Sequence, residues 1–338
     1  MSNRDRRGWR LVVWLSLGSI VISAAFGYHT GESTPWRSAQ TGIVSSILIA
    51  TPILLFEIKG QNSELMRRLR RLPLLAYLGF RVLFYSVIVV GGLMVARALA
   101  SSRQLAVDEV FVESLYFVGA LVVVSNVVFQ IGLQLGFRTL GNLLTGRYVR
   151  PRRETRTFVL IDMKDSTGLA ERLGPLRFHE LLNLFFRDVA DAALECRAEI
   201  HKYVGDEAIL TWTGEGREAL GEALSCPFVA RDVIASNSQQ YLARFGIVPQ
   251  FRAALHRGEI VAGEIGDVRR EITYVGDTLN VAARLLEAAK QIGHDVLAST
   301  ALLENATLPP DMVAEALPAL AVRGREAPLG IAALRRRP

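Results

Sequence analysis

Phe158-Val-Leu-Ile-Asp-Met-Lys-Asp-Ser-Thr-Gly168 is the stretch on which the fold of the C-terminal half turns. Phe158 to Ile161 is a short apolar run rich in β-formers, which predicts a buried strand. The run ends on Asp162. Asp165, Ser166 and Thr167 then supply helix-start chemistry ahead of the periodic Leu169, Ala170 and Leu173. A carboxylate at a strand end, beside a helix N-terminus, can hold a metal while backbone N–H groups face phosphate. It can equally be a residue that only caps the helix. The motif by itself leaves both readings open.

Outward from this stretch, the chain changes character. Of 338 residues half are hydrophobic, and they crowd into the first 137 positions, with polar and charged residues dominating afterwards. This predicts a multi-pass α-helical membrane domain over 1–137, a connector over 138–156 and a soluble domain over 157–338. Four spans are expected: Leu11–Phe26, Thr41–Ile58, Pro73–Ala98 and Val110–Phe137. The first reads as a span rather than a cleavable signal, because further spans follow. Thr41–Ile58 is the least regular, with Pro52 inside it.

Charge sets the expected orientation. Arg4, Arg6, Arg7 and Arg10 precede the first span, and Lys59, Arg67, Arg68, Arg70 and Arg71 follow the second. The first outer connection holds Arg37, and the third holds Arg103 with Asp108 and Glu109. Lys and Arg collect on the cytoplasmic side, so both termini are expected there, in an inner (plasma) membrane. The net charge of +6 is explained by arginines at the lipid surface, and no nucleic-acid partner is expected. Arg81, inside the third stretch, is expected to snorkel to the inner face; an intramembrane sensing role is the alternative. Cys196 and Cys226 are far apart, which points to neither a disulfide framework nor a zinc site.

In the C-terminal half, helical patterning covers Leu176–Cys196. His179-Glu180 begins like a zinc motif, but Asn183 stands at the second histidine position. Glu199–Trp212 reads as strand, tight turn at Gly205, strand. A long helix is expected over Gly216–Phe245. Strands are expected at Phe251–Leu255, from Glu259, at Ile272–Val275 and at Val296–Ser299. A helix opens at Gly276, and a basic hairpin is expected over Ala321–Ile331. Strands and helices without repeating βα units predict an α+β sandwich on an antiparallel or mixed sheet.

Asp206 follows Gly205 at the turn between two strands. If that turn lies beside the end of strand one, Asp162 and Asp206 face each other, and two such carboxylates imply divalent cations. Oxygen-ligated metal pairs serve in-line displacement at phosphorus. Asn280 and Arg284, four apart on a helix, share a face and can contact a ribose and a phosphate. Lys202 lies on the Asp206 hairpin, and Arg323 adds a cation near the C-terminus.

FVLIDMKDST, HKYVGDEAIL, LHRGEIVAGEIG and YVGDTLNVAARLLEAAK, in this order and spacing, together resemble the class III adenylyl/guanylyl cyclase catalytic domain, over about Arg156 to Ile331. The GRYVRPRRETRTF connector is similar to that of bacterial cyclases with an N-terminal four-helix membrane domain. The resemblance implies a ferredoxin-like α+β sandwich and a site shared between two chains of a homodimer. It implies that Asp162 and Asp206, helped by the Met163 carbonyl, hold two Mg2+ or Mn2+ ions. Asn280 would orient the ribose, Arg284 would stabilise charge on the α-phosphate, and Arg323 would bind the terminal phosphates where the family carries Lys. Lys202 matches the adenine-selecting lysine. Thr273 stands where many members carry Asp to receive the adenine amino group; a subset of bacterial cyclases carries Thr there, and a hydroxyl can also accept. The activity implied is ATP conversion to 3′,5′-cyclic AMP and pyrophosphate. A guanylate cyclase and an inert cyclase-like membrane sensor are the alternatives. Lys164, Asp165 and Glu207 read as solvated charges or caps, and no upstream ligand is legible.

Overall fold

The computed structural model describes residues 3–30, 35–58, 72–100, 136–214, 216–268, 270–321 and 327–337, with isolated positions among 60–69 and 112–132. The chain divides into two compact units, residues 1–141 and 142–338.

The first unit holds α1 (Asn3–Thr30), α2 (Pro35–Ile58) and α3 (Leu74–Ala100). Three segments are long and apolar enough to cross a membrane: Val12–His29, Pro35–Ile58 and Gly79–Ala96. The count supported by the described residues is therefore three, not the four expected. Val110–Phe137 lies largely outside the described residues, and the expectation of both termini on one side rests on that stretch. Pro52 does not end α2, whose helix continues to Ile58. The Ser19 and Ser46 hydroxyls join α1 to α2 at 2.8 Å. Beside this seam a Cβ at Gly42 would fall 2.2 Å from the Ser23 carbonyl oxygen, so only glycine permits the close approach.

Arg81 does not snorkel. Its side chain is 1% exposed and turned onto Glu57 of α2, with Tyr85 Oη 3.1 Å from its guanidinium. A charged head in an apolar unit is stabilised by a carboxylate and phenol already present there, which removes the need to reach the interface.

In the second unit, a short helix α4 (Phe137–Leu144) precedes β1 (Arg152–Met163). The arginine-rich second half of the expected connector is thus already strand: Arg152–Arg156 pairs antiparallel with Gly258–Ala262. Next come α5 (Ser166–Leu173), α6 (Pro175–Glu195), β2 (Glu199–Val204), β3 (Glu207–Trp212), α7 (Arg217–Ser236) and α8 (Ser238–Phe245). The long helix expected over Gly216–Phe245 is broken at Asn237, a residue whose short amide competes with helical bonding. The unit finishes with β4 (Phe251–Ile265), β5 (Glu271–Val275), α9 (Asp277–Ile292), β6 (Val296–Ser299), α10 (Thr300–Leu303), β7 (Met312–Leu320) and β8 (Leu329–Arg336).

These strands make a mixed sheet of order β2-β3-β1-β4-β6-β8-β7, with β5 hydrogen-bonded to β4 beyond β6. Neighbours are antiparallel except β4 and β6. β1 is central, and its side chains alternate between two cores. Val159 and Ile161 pack with Leu181, Phe185 and Leu224 of α6 and α7. Phe158 and Leu160 pack with Val281, Leu285 and Ala289 of α9. Burial on both faces is why the run reads as continuously apolar rather than alternating. The C-terminal hairpin is longer than expected, Met312–Leu320 against Leu329–Arg336, with its tip outside the described residues.

Candidate active site

β1 delivers Asp162 to the end of the central strand, on the α9 side by the same alternation as Phe158 and Leu160. Its residue is 6% exposed. Across the sheet, Asp162 is opposite Glu207, the first residue of β3. The β2–β3 turn needs a left-handed residue, and Gly205 supplies it at φ 61°. That turn places Asp206 against β1, where the Met163 N–H donates to the Asp206 carbonyl at 3.4 Å. Asp162 and Asp206, distant in the chain, are therefore adjacent.

The electrostatics follow from that adjacency. Burial pushes the Asp162 carboxyl up; the Lys290 ammonium, 2.7 Å from Oδ2, opposes the rise, and the Asp206 charge adds to it. Glu207 is pushed up to about 7, first by burial and then by Asp162. Sequence reasoning took Glu207 for a solvated charge. The structure half-buries it beside two other acids, a consequence of the strand pairing that no local signal carries. Crowded carboxylates of this kind fit a hard divalent cation bound through oxygen. Among the described residues no three His, Cys, Asp or Glu side chains form a closed metal cage. What the fold brings together is an open pair of carboxylates, Asp162 and Asp206, with Glu207 beside them.

A second group of candidates gathers elsewhere on the sheet. The β4–β5 ribbon leans back across it, so that the Tyr274 ring lies 4.4 Å from the His201 ring of β2 and 5.7 Å from Phe158 of β1. Lys202 Nζ then lies 2.5 Å from Glu271 Oε1 at the start of β5. Thr273, two residues on, donates its hydroxyl to the Gly263 carbonyl at 3.4 Å. Beneath this ribbon Arg156 is 1% exposed. Its guanidinium lies 4.4 Å over the Tyr274 ring, pairs with Glu154 and Glu199 at 3.0 Å each, and donates to Tyr148 Oη at 2.8 Å. Burial, with Lys202 and Arg156 nearby, holds His201 down at about 4, so its ring is neutral.

Asn280 and Arg284 lie one turn apart on α9, Asn280 exposed and Arg284 half-buried. They do not meet the acids of their own chain. The α9 N-terminus is tied to the far end of β1: Thr278 donates to the Glu259 carbonyl at 2.6 Å, and Glu259 is opposite Thr155. The other end of the helix supplies Lys290 to Asp162. Asn280 thus stands about 15 Å along the helix axis from the end that touches Asp162. Arg323 lies outside the described residues.

A mixed sheet of this order, two acids at its central strand end and a ribbon folded over its face define a nucleotide-cyclase fold. The chain belongs to the family of adenylate and guanylate cyclase catalytic domains, matched over residues 149–328. It is 34% identical over 299 residues to Adenylate cyclase 2 of Rhizobium meliloti (strain 1021), covering 87% of this chain and 82% of that one. Adenylate cyclase of Anabaena cylindrica is 25% identical over 156 residues, 45% of this chain and 31% of its own length. The structure of a bacterial light-regulated adenylyl cyclase superposes with a TM-score of 0.51 at 15% identity, covering 64% of each chain. The R. meliloti match extends well beyond the catalytic domain into the apolar N-terminal half.

Proposed function

We propose that this chain is a membrane-anchored adenylate cyclase, converting ATP to 3′,5′-cyclic AMP and pyrophosphate as a homodimer, with its catalytic domain on the cytoplasmic side. The observation that carries the reading is the separation just described. Asp162 and Asp206 meet at one end of β1, whereas Asn280 and Arg284 lie toward the other end of the same domain. A chain holding both halves of a site, but unable to close it on itself, is completed by a second copy in a C2 pair. Exposed apolar side chains support such a pair: Tyr203 and Val204 on β2, and Ile265 and Val275 on the ribbon.

Asp162, Asp206 and the Met163 carbonyl would hold two divalent cations, Mg2+ or Mn2+, which when bound lower the pKa of the ribose 3′-hydroxyl and carry the β- and γ-phosphates. Lys202 donates to adenine N1, and Thr273 accepts from the exocyclic amino group. Guanine would present N1–H to the Lys202 ammonium, donor against donor, which disfavours GTP. Asn280 holds the ribose so that its 3′-oxygen is in line with the α-phosphorus. Arg284 stabilises the charge that gathers on the α-phosphate in the transition state. The family resemblance assigns Arg323 to the terminal phosphates.

The test uses the full chain in detergent, with ATP or GTP and Mg2+ or Mn2+. Cyclic AMP should form from ATP faster than cyclic GMP from GTP. Asp162→Ala and Asn280→Ala should each be inactive alone. Mixed one to one, they form heterodimers with one intact site, and about a quarter of wild-type activity should return. Persistent activity in Asp162→Ala, or no recovery on mixing, would sink the reading.

A further inference from the structure

The N-terminal edge of the second unit carries a surface that the cyclase chemistry does not use. After α4 the chain makes a left-handed turn at Gly146, φ 62°, where the Arg147 N–H donates to the Asn142 carbonyl at 3.0 Å. The next residue is pinned: the Tyr148 ring is buried in the α9 core, and its carbonyl accepts from the Glu264 N–H at 3.0 Å. Pinning Tyr148 inward turns its neighbours outward. Leu144 is 78% exposed and Val149 63%. Around them Arg147, Arg150, Arg152 and Arg153 are all exposed. Arg147 lies 3.4 Å from Glu154. Among the described residues the other three have no carboxylate partner. The result is an apolar tip ringed by positive charge, on backbone that the fold holds in place.

We propose that this patch docks the catalytic unit itself on anionic lipid headgroups, with Leu144 and Val149 entering the interface and the four arginines meeting phosphate. The inference rests on the membrane-anchored reading of the chain. In sequence the expected span ends at Phe137, and α4 covers Phe137–Leu144 as helix, an advance of only about 10 Å. The patch is therefore confined to the neighbourhood of the bilayer surface. Its composition suits that place: exposed apolar side chains bury at the acyl boundary, and guanidinium groups pair with phosphate. A second copy of the chain is the other occupant to weigh. Across a two-fold axis the patch would meet its own image, guanidinium against guanidinium, which repels. A leaflet containing anionic lipid offers the opposite charge.

The experiment follows amide hydrogen exchange of the full-length chain in two kinds of vesicle, phosphatidylcholine alone and phosphatidylcholine mixed with phosphatidylglycerol. Exchange over residues 143–150 should be about tenfold slower in the anionic vesicles, a conservative figure for several arginines attracted to a charged leaflet. High salt should remove the difference, because the attraction is screened. Arg150→Gln, Arg152→Gln and Arg153→Gln together spare Tyr148, Glu154 and Arg156, so the melting temperature should hold while the lipid difference disappears. Equal exchange in the two vesicles, or a difference that survives the triple variant, overturns the docking surface. Protection that appears in detergent and follows protein concentration would assign the patch to a second copy and overturn it too. A chain that floats with neither vesicle would instead overturn the membrane-anchored reading, and the docking with it, so the two failures are distinguishable.

Discussion

At the scale of single residues, the candidate site is a study in how burial changes side-chain chemistry. His201 is an ordinary strand histidine by sequence. Folded, its ring lies tilted 4.4 Å from that of Tyr274, and burial, with Lys202 and Arg156 nearby, holds it neutral, at about 4. Its folded pKa is below the usual 6.5, so the unfolded chain binds the extra proton first as the solution is acidified. The stability it contributes is complete above about 6.5 and is lost as the pH falls toward 4. Thermal denaturation of His201→Gln between pH 7 and 4 should show a shallower fall than wild type. Equal slopes would mean the imidazole is not held neutral. Asp162 is the opposite case. Burial raises its carboxyl, Lys290 restrains that rise, and the Asp206 charge adds to it. The acid pair was legible in the sequence because Asp162 ends a recognisable apolar run and Asp206 follows a turn glycine. Glu207, Glu271 and Lys290 were not, because their importance comes only from what folding sets beside them.

Among elements, β1 and the β4–β5 ribbon matter most. Phe158–Ile161 announces a strand through its composition, but the strand begins at Arg152, among arginines that read as a connector. Those residues are strand because β4 is long enough to pair with them. Arg156 is the hub, joining Tyr148, Glu154, Glu199 and the Tyr274 ring beneath the β4–β5 ribbon. Replacing it with Met keeps the volume and removes the charge from a buried group of acids. The expected cost is roughly 3–5 kcal/mol of stability, typical of breaking a buried ion pair from one side. KM for ATP should also rise, since Tyr274 and His201 flank Thr273 and Lys202. An Arg156→Met enzyme with unchanged melting temperature and unchanged KM would show that the contacts carry neither role. The helix break at Asn237 and the length of the C-terminal hairpin were missed for a similar reason: local propensity is weak against tertiary pairing.

The whole molecule consists of two compact units that meet in sequence near Gly141 and Asn142. Tyr148 is buried in the core that packs α9, and its hydroxyl meets both Glu154 and Arg156. A fragment starting at Asn142 should therefore be soluble and cooperatively folded without detergent. A fragment starting at Thr157, which discards Tyr148, Glu154, Arg156 and half of β1, should melt several degrees lower or aggregate. Comparable melting curves for the two would return residues 142–156 to the status of a linker. In the apolar unit, the Arg81–Glu57 pair joins α2 to α3 in a way that hydropathy does not register.

What the sequence determined by itself is whatever depends on local order: the apolar spans, the strand at Phe158, the turn at Gly205 and the family to which four short motifs belong. Tertiary structure alone decided which charges meet. Lys202 found Glu271, Asp162 found Lys290, and Asn280 was carried away from the acids of its own chain. The physical reason is that side-chain electrostatics falls off over a few ångströms, while the residues that come that close are 69, 128 and, for the pair held apart, 118 positions distant in the chain.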